Sequence, residues 1–131
     1  MASILIIDDS AVQRVILRKI LEKEGHDIIG DSSSGQDAIK LYKETKPDIV
    51  ILDIVLYDAN GIAILDELMN YDKQANVIMC SCTALRNVIA ESIQLGAKGF
   101  MVKPVKSHLL LKTINKIMET NKSINESKNI S

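Results

Sequence analysis

Ile4-Leu5-Ile6-Ile7-Asp8-Asp9-Ser10, near the start of the chain, and Ile49-Val50-Ile51-Leu52-Asp53, near its middle, share one pattern: an unbroken apolar run that stops on a carboxylate. A strand with one face in water alternates apolar and polar residues, whereas a strand covered on both faces reads as a continuous apolar run. Val77 to Cys80, followed by Ser81, and Phe100 to Val102, followed by Lys103-Pro104, repeat the apolar run but stop on a hydroxyl and an ammonium. A weaker fifth strand fits His26 to Gly30. The intervening stretches carry helical periodicity: Val12, Ile16 and Ile20 in the first, Ala38, Leu41 and Tyr42 in the second, then Ile62 to Met69, Val88 to Leu95 with Gly96 as a cap, and Leu109 to Met118. Strand and helix alternating in this way imply right-handed crossovers and a parallel sheet with helices on both faces, an α/β doubly wound fold.

The chain has 131 residues, 47% of them hydrophobic, which suits one ordinary core and not two. Residues 1–120 are read as the domain, and 121–131, rich in Asn, Ser and Lys without apolar period, as a disordered tail or linker. A net charge of -1 with interspersed signs offers no basic face to nucleic acid. The first apolar run is too short for a signal peptide or a membrane span, so the chain is read as cytoplasmic. Cys80 and Cys82, two apart on an expected strand, point to the same face and are read as reduced, buried thiols.

In an open parallel sheet, ligands bind beyond the carboxyl ends of the strands, near the point where strand order reverses. Those ends carry Asp8 and Asp9, Asp53, Ser81, and Lys103. Clustered carboxylates repel one another unless positive charge is supplied. A hard divalent cation relieves that repulsion, and Mg2+ suits a site with few carboxylates and room for water and phosphoryl oxygens. The same ion would neutralise charge on a transferring phosphoryl group, with Asp53 as nucleophile. Each piece alone has a plainer role: Asp9 or Ser10 as a helix cap, Asp53 as a strand terminator, Lys-Pro as a turn. Their placement at successive strand-to-helix junctions on one side of one sheet favours the shared site.

These residues resemble the receiver domains of two-component response regulators. The resemblance runs from about Leu5 to Met118 and rests on Ile6-Ile7-Asp8-Asp9-Ser10, Pro47-Asp48-Ile49-Val50-Ile51-Leu52-Asp53 with Gly61 eight residues on, Gly96-Ala97-Lys98-Gly99-Phe100, and Lys103-Pro104. It implies a flavodoxin-like fold of five strands in the order 2-1-3-4-5, and Asp53 as phosphoacceptor from a phosphohistidine. Asp9, Asp53 and the Val55 carbonyl would ligate Mg2+, Asp8 would act through a metal-bound water, and Lys103 would contact the phosphoryl oxygens across a cis Lys-Pro bond. The spacing to Lys103 selects Ser81, not Thr83, as the switch hydroxyl, and Phe100 occupies the aromatic switch position. The implied partners are a sensor histidine kinase or phosphotransfer protein, and a downstream protein bound at the face of the fourth helix, fifth strand and fifth helix. Neither nucleic acid nor membrane is implied. The chain would be no enzyme beyond its own phosphotransfer and dephosphorylation.

Three positions depart from the family pattern. Tyr57 replaces a usual proline, which predicts a looser loop over the site. Cys82 stands where a small Ala is common and narrows access to Asp53. Val55 and Thr83 replace polar side chains able to orient water, which predicts a long-lived phosphoryl state. A flavodoxin or P-loop nucleotidase would need a Gly, Ser or Thr-rich loop after the first strand, where Asp8-Asp9 has the wrong charge. A haloacid-dehalogenase phosphatase would place its nucleophile after the first strand in Asp-x-Asp. The readings that stay open are an unphosphorylated docking module, and a receiver domain cut from a larger transcription factor or hybrid kinase.

Overall fold

The computed structural model describes residues 1–130, with side chains through Ile124. Strands and helices alternate along the whole chain: β1 (Ser3–Ile7), α1 (Ala11–Lys23), β2 (Asp27–Ser32), α2 (Ala38–Thr45), β3 (Ile49–Asp53), α3 (Gly61–Tyr71), β4 (Val77–Ser81), α4 (Arg86–Leu95), β5 (Gly99–Val102) and α5 (Ser107–Ile130). The strands form one parallel sheet in the order β2-β1-β3-β4-β5, as the resemblance implies.

Strand alternation explains why continuous apolar runs are needed. Leu5, Ile7, Val50, Leu52, Val77 and Met79 face a core completed by α2 and α3 through Ala38, Tyr42, Ile64, Leu65 and Leu68. The intervening residues, Ile4, Ile6, Ile49, Ile51, Ile78 and Cys80, face a second core completed by Leu17 and Leu21 of α1 and by Leu110, Ile114 and Ile117 of α5. Every residue of β3 and β4 is therefore buried. Gly96 closes α4 in the left-handed region at φ 114°, which an ordinary side chain resists, as its position after Leu95 predicts.

Two sequence readings need correction. In α1, Leu17 and Leu21 face the sheet, while Val12 and Ile16 are 70% and 44% exposed. Burying Leu17 and Leu21 in the second core turns the Val12 and Ile16 stripe outward, and it leaves Arg14 and Arg18 within ion-pair distance of Asp31. Of the two cysteines only Cys80 is buried, because β4 stops at Ser81 and alternation does not carry to the exposed Cys82. Burial pushes the Cys80 thiol up to about 12. One thiol per folded chain should therefore react with a maleimide at neutral pH, and Cys82→Ser should abolish that reaction; labelling of both in the folded protein would contradict it. The last helix, α5, spans Ser107–Ile130, beyond the Leu109 to Met118 stretch that carries the apolar period. Leu110, Ile114 and Ile117 anchor its first turns, after which each added residue costs little. Ser131 lies outside the described residues, as do the side chains of 125–130.

No helix among the described residues is long and apolar enough to cross a membrane.

Candidate functional site

The carboxyl ends of β1, β3, β4 and β5 lie side by side, so the residues that follow them share one edge of the sheet. Asp8 follows β1 directly and is 2% exposed; its Oδ1 accepts the Ser10 N–H at 2.9 Å. Ser10 then caps α1, its hydroxyl accepting the Gln13 N–H at 3.2 Å. The capping role thus falls to Ser10, and Asp9 remains exposed at the rim. Asp53 is the last residue of β3 and is 5% exposed. Its Oδ1 accepts the Val55 N–H at 3.2 Å and its Oδ2 accepts a hydrogen bond from Lys103 Nζ at 3.0 Å. The same ammonium lies 3.0 Å from Asp8 Oδ2. Lys103 is itself held by its backbone N–H, which donates to the Ser81 carbonyl at 2.8 Å, and it precedes Pro104 through a cis peptide bond.

Ser81 ends β4 as a buried residue, with its Oγ accepting the Thr83 N–H at 3.1 Å, whereas Thr83 lies outside the strand and is exposed. Phe100 is half-buried on β5 and packs against the core that α2 and α3 complete. Val55 and Tyr57, both prominently exposed, stand on the loop between β3 and α3.

Asp8, Asp9 and Asp53 each bring a carboxylate oxygen within 4.8 Å of the others. The Val55 carbonyl accepts no backbone hydrogen bond among the described residues. This is an all-oxygen donor set of the kind a hard cation takes, with a span that a partly hydrated ion can bridge. Burial pushes the Asp53 carboxyl above its usual range; Lys103 and the Val55 N–H oppose that rise and the Asp8 charge adds to it. For Lys103, burial works against the charged form, but the bonds to Asp53 and Asp8 outweigh it and hold the ammonium protonated. One ammonium thus contacts two of the three carboxylates, and a further cation would complete the balance.

Some supporting residues escape a sequence reading. Arg14 Nη1 donates to the Asp8 carbonyl at 2.7 Å and fixes the turn that carries the acidic pair. Gly61 matters through close approach: its N–H donates to the Ile54 carbonyl at 2.7 Å, and a Cβ there would collide with the Asp53 carbonyl oxygen. Asp58 ties the loop after Asp53 to residues 22 to 24 positions away. The spacing of Gly61 from Asp53 was visible in sequence, but nothing local marks the partners of Arg14 or Asp58.

Residues 4–115 match the family model described as the response regulator receiver domain, and the chain belongs to that family. Within it, the chain is 39% identical over 114 residues to the chemotaxis protein CheY of Thermotoga maritima, covering 87% of this chain and 95% of the relative. It is likewise 39% identical to CheY of Bacillus subtilis, covering 88% of this chain and 96% of that protein. Among solved structures it is similar to a chain of the CheX-CheY-BeF3-Mg+2 complex from Borrelia burgdorferi, at 34% identity and a TM-score of 0.85, with 88% of each chain covered. The chain is a CheY-like receiver domain of two-component signalling.

Proposed function

We propose that this chain accepts a phosphoryl group onto Asp53 from the phosphohistidine of a sensor kinase or phosphotransfer protein, in a magnesium-dependent reaction in the cytoplasm. The observation that carries the reading is a buried carboxylate at a strand end, bonded to Lys103 at 3.0 Å and flanked by two further carboxylates. Asp9, Asp53 and the Val55 carbonyl would hold Mg2+, with Asp8 reaching it through water. When bound, the ion supplies positive charge that offsets the carboxylates and the oxygens of the transferring group.

An Asp53 oxygen attacks phosphorus, an O–P bond forms, and the donor N–P bond breaks with its electron pair going to the histidine ring. Lys103, already aimed at Asp53 Oδ2, donates to a phosphoryl oxygen after transfer. The Ser81 hydroxyl turns from Thr83 to the phosphoryl group, and Phe100 rotates into the vacated space. The face of α4, β5 and α5 carries the signal to a downstream protein; its Ile93, Val102 and Leu109 are exposed apolar contacts. The exposed Val12, Val15 and Ile16 of α1 offer the phosphodonor protein an apolar footing beside Asp9. The only turnover in this reading is the chain's own phosphotransfer and dephosphorylation.

Incubation with Mg2+ and acetyl phosphate should add one phosphoryl group by intact mass, and a chelator should prevent it. A chain that binds Mg2+ yet gains no phosphoryl group would be a docking module, with Cys82 and Tyr57 the first suspects for a blocked site.

The phosphoryl group, once attached, should persist. Val55 and Thr83 are exposed on the loops beside Asp53 and Ser81, and neither offers the amide or carboxylate that would aim water at phosphorus. Val55→Asn should hasten loss by about tenfold, equivalent to about 1.4 kcal/mol of barrier. The check is decay of the phosphorylated mass over time, and a wild type that loses the group as fast as the variant would refute the prediction.

A further inference from the structure

The loop Ile54 to Asn60 carries the open Val55 carbonyl, and its base and tip are fixed by different means. At the base, Val55 and Asn60 form an antiparallel bridge, with Gly61 N–H donating to Ile54 at 2.7 Å and Leu56 N–H to Ala59 at 3.3 Å. At the tip, Asp58 reaches across to the loop between β2 and α2. Its Oδ2 accepts the Ser34 hydroxyl at 2.5 Å and the Gln36 N–H at 3.2 Å, while its Oδ1 accepts the Gly35 N–H at 2.9 Å. Gly35 sits so close beneath the tip that a Cβ would lie 2.8 Å from Leu56 Cδ1 and 2.9 Å from Ala59 Cβ. The segment that Asp58 grips is also bonded to the acidic turn: the Asp8 N–H donates to the Ser32 carbonyl at 3.0 Å. Residues 32–36 therefore form a strap between the turn bearing Asp8 and Asp9 and the loop bearing Asp53 and Val55.

We propose that Asp58 is a positioning residue for the cation site. By locking the loop tip to the strap, it sets the Val55 carbonyl relative to the carboxylates of Asp9 and Asp53 without touching the ion. This rests on the receiver chemistry proposed above. It also accounts for how a loop with Tyr57 in place of a φ-fixing proline keeps one shape: three hydrogen bonds from one carboxylate do by bonding what the ring would do by covalent constraint. Losing a group that orients the ligands of a metal ion typically costs about 10- to 100-fold in affinity.

The test compares the wild-type chain with Asp58→Ala, Asp58→Asn and Ser34→Ala, using Mg2+ alone as titrant in calorimetry, with a thermal melt of each protein. Asp58→Ala should weaken Mg2+ binding about tenfold or more. Ser34→Ala, which removes one of the bonds, should weaken it less, and Asp58→Asn should fall between. Phosphoryl uptake from acetyl phosphate should be slow in Asp58→Ala at limiting Mg2+ and return to the wild-type rate at saturating Mg2+, a rescue that a merely damaged fold would not show. Wild-type Mg2+ affinity in a folded Asp58→Ala overturns the proposal. If that variant does not fold, unchanged affinity in both Ser34→Ala and Asp58→Asn overturns it equally. A wild type that neither binds Mg2+ nor takes a phosphoryl group would refute the receiver chemistry itself, an outcome distinct from a variant that matches a competent wild type.

Discussion

Asp53→Asn takes up no phosphoryl group and, in chelator, melts at a higher temperature than the wild type. The first half follows from chemistry: the amide has nearly the shape of the carboxylate but lacks a nucleophilic oxygen anion, so uptake measured by intact mass falls to background. The second half follows from electrostatics. Burial raises the Asp53 carboxyl above its unfolded value, so the stability it contributes is present at acid pH and is lost as pH rises through the folded value. At neutral pH the ionised group is a cost that a neutral amide avoids. Removing one member of a buried ion pair usually strands its partner, yet here Lys103 keeps Asp8 Oδ2 at 3.0 Å. The gap in melting temperature between variant and wild type should therefore widen from mildly acidic to neutral pH. Mg2+ should stabilise the wild type more than the variant, since a ligand bound only by the folded state adds stability that grows with the logarithm of its affinity. A variant that melts lower at neutral pH, or a gap that ignores pH, would contradict this account.

The strand ends were legible because fold and site use the same signal. A run such as Ile49 to Leu52 can only be buried on both faces, and the polar residue that stops it must then lie at the sheet edge where all such residues gather. Asp8, Asp53, Ser81 and Lys103 stand at that edge by this pattern alone. What the pattern could not convey was the outward turn of α1. Val12, Ile16 and Ile20 have helical spacing, but so do Leu17 and Leu21, and which stripe is buried depends on the fit of α1 against the sheet, where Leu17 and Leu21 join the core and Arg14 and Arg18 come within ion-pair distance of Asp31. The exposure of Cys82 depended on β4 ending one residue earlier, and strand ends are poorly marked in sequence. Asp58 was unreadable for a third reason: Asp in a turn ordinarily bonds its own backbone, so partners 22 to 24 residues away leave no local trace.

Gly61→Ala should cost about 3 kcal/mol of stability and slow phosphoryl uptake about a hundredfold at fixed Mg2+. A Cβ at this position would overlap the Asp53 carbonyl oxygen and lie 2.6 Å from Ile54 Cα and 2.9 Å from the Ile54 carbonyl oxygen. All three obstacles are backbone atoms, so no side-chain rotation can relieve them. The strain must move either α3, which is anchored by the buried Ile64, Leu65 and Leu68, or the Asp53 to Val55 segment, which carries the proposed nucleophile and the proposed carbonyl ligand. The segment is the softer of the two, because it leaves the strand after Asp53 and its far end, Val55, is exposed. Displacement of reacting groups by about 1 Å is enough for a hundredfold loss. Gly99→Ala provides the contrast. Its Cβ would meet the Thr113 methyl at 2.9 Å and the Ile78 carbons at 3.7 Å, which are side-chain atoms at the far end of β5 from Lys103. That variant should lose some stability and keep its rate of uptake. Denaturant melts and timed intact-mass measurements on the two variants separate the cases, and equal rates in both would show that the space at Gly61 serves packing alone.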